Sequence, residues 1–170
     1  CYGCPGTTSA GIAALNVQAG EVAIRASTIM TIASSANNDL GVYASNSRVT
    51  VHDTLLTGIG NGAEGDSAVG VAGNSFVLIS DSDLFNNQGS GIIVNGDEAV
   101  VHVSGSTLIG NTGNGVRNNG SAAVVLGGDP DSANAIYLNG GYGAYQAGTL
   151  VQMAGYALGP LFGSINVERA

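Results

Sequence analysis

The chain contains no lysine and no tryptophan, and its only arginines are Arg25, Arg48, Arg117 and Arg169. Twelve carboxylates stand against these four cations and leave a net charge of −8. Binding nucleic acid requires basic side chains that displace phosphate counterions, so no nucleic-acid partner is expected. An anionic membrane surface is disfavoured on the same ground. Charged residues amount to only 9%, yet 44% of the chain is apolar, which does not fit a disordered chain. The outer surface must therefore be built from Asn, Ser, Thr and Gly, a composition that points to an extracellular or cell-surface repeat protein. No apolar run approaches the roughly 20 residues of a membrane span. No stretch sustains a 3.6-residue period with caps, so few or no helices are expected.

Cysteine is equally scarce. Cys1 and Cys4 form "CYGC", with no second pair and no histidine near it in sequence, so a tetrahedral zinc site lacks ligands. A thioredoxin-like role needs a strand–helix context that is missing. A disulfide is expected, either between the two or to a neighbouring chain. The opening stretch has no basic region followed by an apolar one, hence no visible signal peptide. Starting on Cys1 without Met, the chain is expected to be processed, trimmed or excised from a longer parent.

What the sequence does have is a repeat. The unit is Val-x-aliphatic, two residues, a small or polar residue, one variable residue and another aliphatic. It occurs as "VAIRASTI" (22–29), "VTVHDTLL" (49–56), "VLISDSDL" (77–84) and "VHVSGSTL" (101–108). A fifth copy, "VVLGG" (124–128), resumes at "NAI" (134–136) after an insertion, and "VQMAGYAL" (151–158) is a sixth. The leading valines are spaced by 27, 28, 24, 23 and 27 residues. Upstream of each copy from the second onward lies a shorter apolar stretch, such as "GVYA" (41–44) and "GIIV" (91–94). The links into these stretches are long early in the chain ("SSANND", "NGAEGD") and short later ("NQGS", "NTGN"). Asn-Gly pairs begin at Asn61, Asn95, Asn114, Asn119 and Asn139 and are expected at turns with positive φ.

Inside each copy apolar and polar residues alternate, as in Val101–His102–Val103, so the copies are expected to be strands. A unit this short cannot bury its own apolar face, but stacked on like units it can. The reading is one domain over 1–170: an N-terminal segment (1–10), coils over 11–160, and an apolar C-terminal segment (156–170). In the last, Leu158, Leu161, Phe162 and Ile165 are expected to cap the open end or dock on another chain.

The pattern resembles the right-handed parallel β-helix of the pectin-lyase-like superfamily, over about residues 11–160. The resemblance implies an all-β fold of about six coils. It also implies an asparagine ladder at Asn87, Asn111 and Asn139, three residues past the last aliphatic of their units and interrupted at Ile32, Ile59 and Leu161. The superfamily holds lyases, hydrolases, epimerases, tailspikes and adhesins, so function must be argued from a site.

Candidate sites are few. Its lyases use Arg or Lys on the sugar acid, but Arg25 and Arg48 fall at different positions of the unit. Its hydrolases cluster aspartates on one sheet. Asp53 and Asp81 share a position in consecutive coils, with His52 and Asp83 beside them, so acid–base work or calcium binding is conceivable, against the plainer reading of solvated bend residues. Asp129 and Asp131, in the insertion "DPDSA" (129–133), are a second calcium candidate, with a Pro-containing turn as the plainer reading. His102 is out of register with His52, so no histidine metal pair forms. The outward column Ala23, Thr50, Leu78, His102, Val125, Gln152 is too mixed for an ice-binding face. The expectation is a non-enzymatic structural, adhesive or filament-forming module, with self-association end to end or a junction to a longer chain. The alternative is a carbohydrate-active enzyme or carbohydrate-binding domain with a polysaccharide partner.

Overall fold

Alternation along Val101–His102–Val103 sends both valines to one side of an extended chain and the histidine to the other. In the computed structural model, which describes residues 12–34, 38–127, 133–147 and 167–169, that side is the interior of a coil. Each coil holds three short strands. The first is β1 (Ala13–Gln18), β2 (Glu21–Arg25) and β3 (Thr28–Ile32). The second is β4 (Leu40–Ser45), β5 (Arg48–His52) and β6 (Leu55–Ile59), and the third β7 (Ser67–Ala72), β8 (Phe76–Ser80) and β9 (Asp83–Phe85). The fourth is β10 (Ser90–Val94), β11 (Val100–Ser104) and β12 (Thr107–Ile109), and the fifth β13 (Val116–Asn118), β14 (Ala123–Leu126) and β15 (Ala135–Tyr137). The next strand is β16 (Ala144–Gln146), and β17 (Val167–Arg169) pairs with it.

Like strands pair in parallel from coil to coil. The first sheet runs β1-β4-β7-β10-β13-β16-β17, the second β2-β5-β8-β11-β14 and the third β3-β6-β9-β12-β15. The chain is thus an all-β parallel β-solenoid of about five turns, with no helix among the described residues. The sixth repeat copy, the apolar residues Leu158, Leu161, Phe162 and Ile165, the ladder break at Leu161, and Cys1 and Cys4 lie outside the described residues.

The repeat register is the pairing register. Val22, Val49, Val77, Val101 and Val124 stack in one column, and Ile24, Val51, Ile79, Val103 and Leu126 in another. Ile29, Leu56, Leu84, Leu108 and Ile136 form the column of the third sheet. From the second coil to the fourth these side chains have no solvent-accessible surface. Burying each aliphatic is worth about 1.5–3 kcal/mol.

Corners turn on single residues in the left-handed region. Between the first and second sheets these are Ala19, Asn46 and Gly73, with φ of 51°, 48° and 58°. Between the second and third they are Ala26, Asp53, Asp81 and Gly105, at 45°, 49°, 49° and 57°. At the end of the third sheet they are Gly58, inside β6, and Asn86, Gly110 and Leu138, just after β9, β12 and β15, at 67°, 52°, 67° and 54°. The Asn-Gly pairs behave differently from expectation, for among them only Gly62 has a positive φ, of 97°. At Gly115 the demand is close approach instead. A Cβ there would lie 2.5 Å from the Gly143 carbonyl oxygen of the next coil and 2.6 Å from Ile136 Cγ2.

Because Val103 is fully buried between Ile79 and Leu126, Val103→Asp buries an uncompensated charge. The variant should lose its cooperative thermal transition in circular dichroism, while Thr50→Asp, at an outward position of the same sheet, should keep it. A folded Val103→Asp would overturn the register.

Candidate functional site

The corner between the second and third sheets carries the acidic residues that the repeat singled out. Stacking places Asp53 and Asp81 at equivalent positions of consecutive coils, with Asp83 two residues further on. With Ala26, Ser27, Thr28, Thr54 and Leu55 they line a shallow depression of about 330 Å³. The left-handed backbone explains the residue type. Aspartate tolerates positive φ better than most side chains, and the stacked equivalents are Ala26 and Gly105.

His52 pairs in register with Ser80, and its Nδ1 lies 3.0 Å from Ser80 Oγ and 3.3 Å from Asp81 Oδ2. Serine, histidine and aspartate therefore meet, but on one ring nitrogen. A nucleophilic relay needs the carboxylate on one nitrogen and the hydroxyl on the other. This arrangement anchors the imidazole instead. His102 is in register with Leu78, apart from His52, and its Nε2 lies 2.9 Å from the Gly127 carbonyl oxygen. Among the described residues no group of three or more His, Cys, Asp or Glu side chains is placed to hold a metal ion. Asp129 and Asp131 lie outside the described residues.

Just past the acidic corner runs a ladder that the sequence reading passed over. The backbone N–H of Thr54 donates to Ser82 Oγ at 3.2 Å, that of Ser82 to Ser106 Oγ at 3.2 Å, and that of Ser106 to Asn134 Oδ1 at 3.0 Å. Each hydroxyl in turn donates to the carbonyl two residues earlier, at 2.8–2.9 Å. The signal was present in the repeated hydroxyl after each bend residue ("HDT", "SDS", "SGS").

A second ladder stands at the corner after the third sheet. Asn87 Nδ2 donates to Asn111 Oδ1 at 2.8 Å, and Asn111 Nδ2 to Asn139 Oδ1 at 3.0 Å. The same amides donate to the carbonyls of Leu56, Leu84 and Leu108. Ile59 occupies the position below Asn87 and Ile32 the one below that; the Ile59 N–H donates to Asn87 Oδ1 at 3.1 Å.

Two fully buried carboxylates, Asp39 and Asp66, were also missed. They end the two long links, "SSANND" and "NGAEGD", and that shared ending was the available clue. Asp66 Oδ2 accepts the N–H groups of Asn61, Gly62 and Ala63 at 2.8, 3.0 and 2.9 Å, and Oδ1 accepts that of Asp39 at 2.8 Å. Asp39 in turn accepts the N–H and hydroxyl of Ser34 at 2.7 and 2.6 Å. Several donors per carboxylate offset the cost of burial.

The clamp at Asp66 fixes a loop that carries Glu64 toward the outer face of the first sheet. There Arg117 Nη2 meets Glu64 Oε1 at 2.9 Å, and Arg117 Nε donates to Asn119 Oδ1 at 2.7 Å. Asn38, Gly65, Ile93 and Asn95 complete the lining of a groove of about 310 Å³. Arg25 and Arg48 do not stack, and Arg48 faces Glu21 at 3.6 Å and lies over the Phe76 ring at 4.4 Å.

Removing Asn111 strips partners from the Leu84 carbonyl and the Asn87 amide in a buried corner, and each orphan costs about 1–3 kcal/mol. Asn111→Ala should therefore lower the melting temperature sharply, by an unfolding free energy of at least about 2 kcal/mol. At the acidic corner Asp53→Gly should leave stability unchanged within a few tenths of a kcal/mol, whereas Asp53→Val should cost about 1–2 kcal/mol through the left-handed backbone. Equal effects of Gly and Val in thermal melts would refute the bend assignment. Comparison of the chain with protein-family models, with curated proteins and with solved structures finds no match, so the solenoid architecture and the side chains on its faces carry the functional argument.

Proposed function

We propose that this chain is a non-catalytic β-solenoid module of a secreted or cell-surface protein, with a structural or adhesive role. One observation carries the reading: the side chains with chemical potential hold the scaffold. Asp39 and Asp66 accept backbone donors in the interior, Asp53 and Asp81 supply left-handed corners, and Asn87, Asn111 and Asn139 bridge coils. A lysine-free surface of low charge supports the extracellular setting. Membership of the pectin-lyase-like superfamily is part of the same proposal, supported by three parallel strands per coil and by the asparagine ladder. End-to-end assembly, or continuation into a longer chain, is part of the same reading, since coil edges offer backbone groups for pairing.

A second reading, a carbohydrate-active or carbohydrate-binding domain, is favoured by one feature. The groove on the first sheet sets the Arg117–Glu64 pair among the amides Asn38, Asn95 and Asn119.

Incubation with a panel of neutral and acidic polysaccharides should release neither reducing ends nor unsaturated uronides. Reducing ends, or absorbance of a double bond, that disappear in Glu64→Gln or Arg117→Ala would replace the first reading with the second. Calcium should leave the melting temperature unchanged in the presence or absence of EDTA. A rise with calcium that is lost in Asp81→Asn would make the acidic corner a binding site.

A further inference from the structure

The first coil ends the described stack, with β1, β2 and β3 each at the edge of its sheet. Its interior is open as well. Val22, Ile24 and Ile29 are only partly buried, whereas Val49, Val51 and Leu56, their partners in the second coil, have no accessible surface. In the next three coils the N–H that opens the second-sheet strand, that of Arg48, Phe76 or Val100, donates to the coil before it at 2.8–2.9 Å. At the far end of the same strands the carbonyls of His52, Ser80 and Ser104 accept the N–H of Ala26, Asp53 and Asp81 from the coil before, at 3.1–3.3 Å. The Glu21 N–H and the Arg25 carbonyl hold these two positions in the first coil, and with Ala23 between them they face the open end. Among the described residues no coil precedes them.

The residues of this edge select the occupant. β2 reads Glu21-Val22-Ala23-Ile24-Arg25, with Glu21, Ala23 and Arg25 exposed on the outer side. A charged edge strand ordinarily keeps other strands away. Here the two charges are opposite in sign and stand symmetrically about Ala23. Laid antiparallel on itself, the strand sets Glu21 across from the partner's Arg25, Ala23 across from the partner's Ala23, and Val22 across from the partner's Ile24. Glu21, Ala23 and Arg25 carry the backbone groups that face the open end, and they fall at the hydrogen-bonded positions of such a pair, each exchanging both bonds. Val22 and Ile24 then carry the aliphatic columns on into the second copy. Parallel self-pairing would set like charge on like. Arg25 forms no ion pair among the described residues, and Glu21 has only Arg48, at 3.6 Å. The net charge of −8 on each copy opposes approach at long range, and salt screens that repulsion more than it weakens charges in contact.

We propose that two copies of this chain dock head to head through their first coils, with β2 antiparallel to β2 of the partner across a two-fold axis at Ala23. The proposal rests on the structural-module reading and narrows its end-to-end assembly to a closed dimer, because a two-fold contact consumes the edge that makes it. The test is sedimentation equilibrium of the whole chain at physiological salt, with reductant present, up to millimolar concentration. A monomer–dimer equilibrium without larger species is expected. Glu21→Arg and Arg25→Glu should each weaken it about tenfold or more, since either change sets like charges together at both ends of the strand pair. Circular dichroism and the melting temperature, read at dilution, should not move. An equimolar mixture of the two variants should recover the association, because one presents two cations and the other two carboxylates. Ala23→Pro, at an edge position whose N–H the monomer leaves free, should abolish the dimer and spare the fold. A strictly monomeric chain, a dimer indifferent to both charge reversals, or a mixture that associates no better than its components would each overturn the proposal. Growth beyond the dimer would overturn the two-fold contact and keep open-ended assembly. Sugar release from polysaccharide by the same preparation would remove the non-catalytic reading, and a dimer that still answers to the charge reversals would stand without it.

Discussion

Everything in this molecule depends on the hydrogen bonds that each coil makes to the next along the axis. They do not stop at the strand ends. At the corners the Ala19 N–H donates to the Ser45 carbonyl at 3.1 Å, Asp81 to Ser104 at 3.1 Å and Asn86 to Ile109 at 3.0 Å. A parallel ladder continued through its turns leaves no place where a coil can slip by one residue, because such a slip would turn every inward side chain outward. Like residues therefore stack on like, and the leading valines form one column although their spacing in sequence changes from 23 to 28 residues.

Stacking also decides what polar residues do. A buried asparagine would be costly alone, yet in a column its amide meets the next amide and a backbone carbonyl. Serine and threonine at the acidic corner use the same device with shorter side chains, closing onto their own backbone and accepting from the coil beside them. Where a link is too long for either ladder, Asp39 and Asp66 gather the loop's N–H groups onto one carboxylate each. These asparagine, serine, threonine and aspartate side chains are thus tied to the scaffold.

The outer faces of the three sheets are unequal because nothing in the repeat requires them to be alike. The second sheet turns out a mixed column, Ala23, Thr50, Leu78, His102 and Val125. The first has a loop laid over it that brings Glu64 to Arg117, residues 53 positions apart. The third is apolar and nearly uncharged, with a column from Met30 to Tyr137.

The sequence by itself determined the strands, the register and the asparagine column. Water exclusion acts alike on the stacked coils, so it writes the same kind of inward residue at the same position, and a repeat is legible without any structure. It marked Asp53 and Asp81 as equivalent but could not say why they are aspartates; the left-handed backbone that explains them appears only in three dimensions. The Asn-Gly pairs misled in the same way, since close approach to the next coil, at Gly115 for example, demands glycine where the dipeptide suggested positive φ. Only the tertiary structure decided the pairing of Arg117 with Glu64, the burial of Asp39 and Asp66, and the apolar column from Met30 to Tyr137. Outward residues obey no shared rule along the chain, and what they form depends on which neighbours the coil register and the links place beside them.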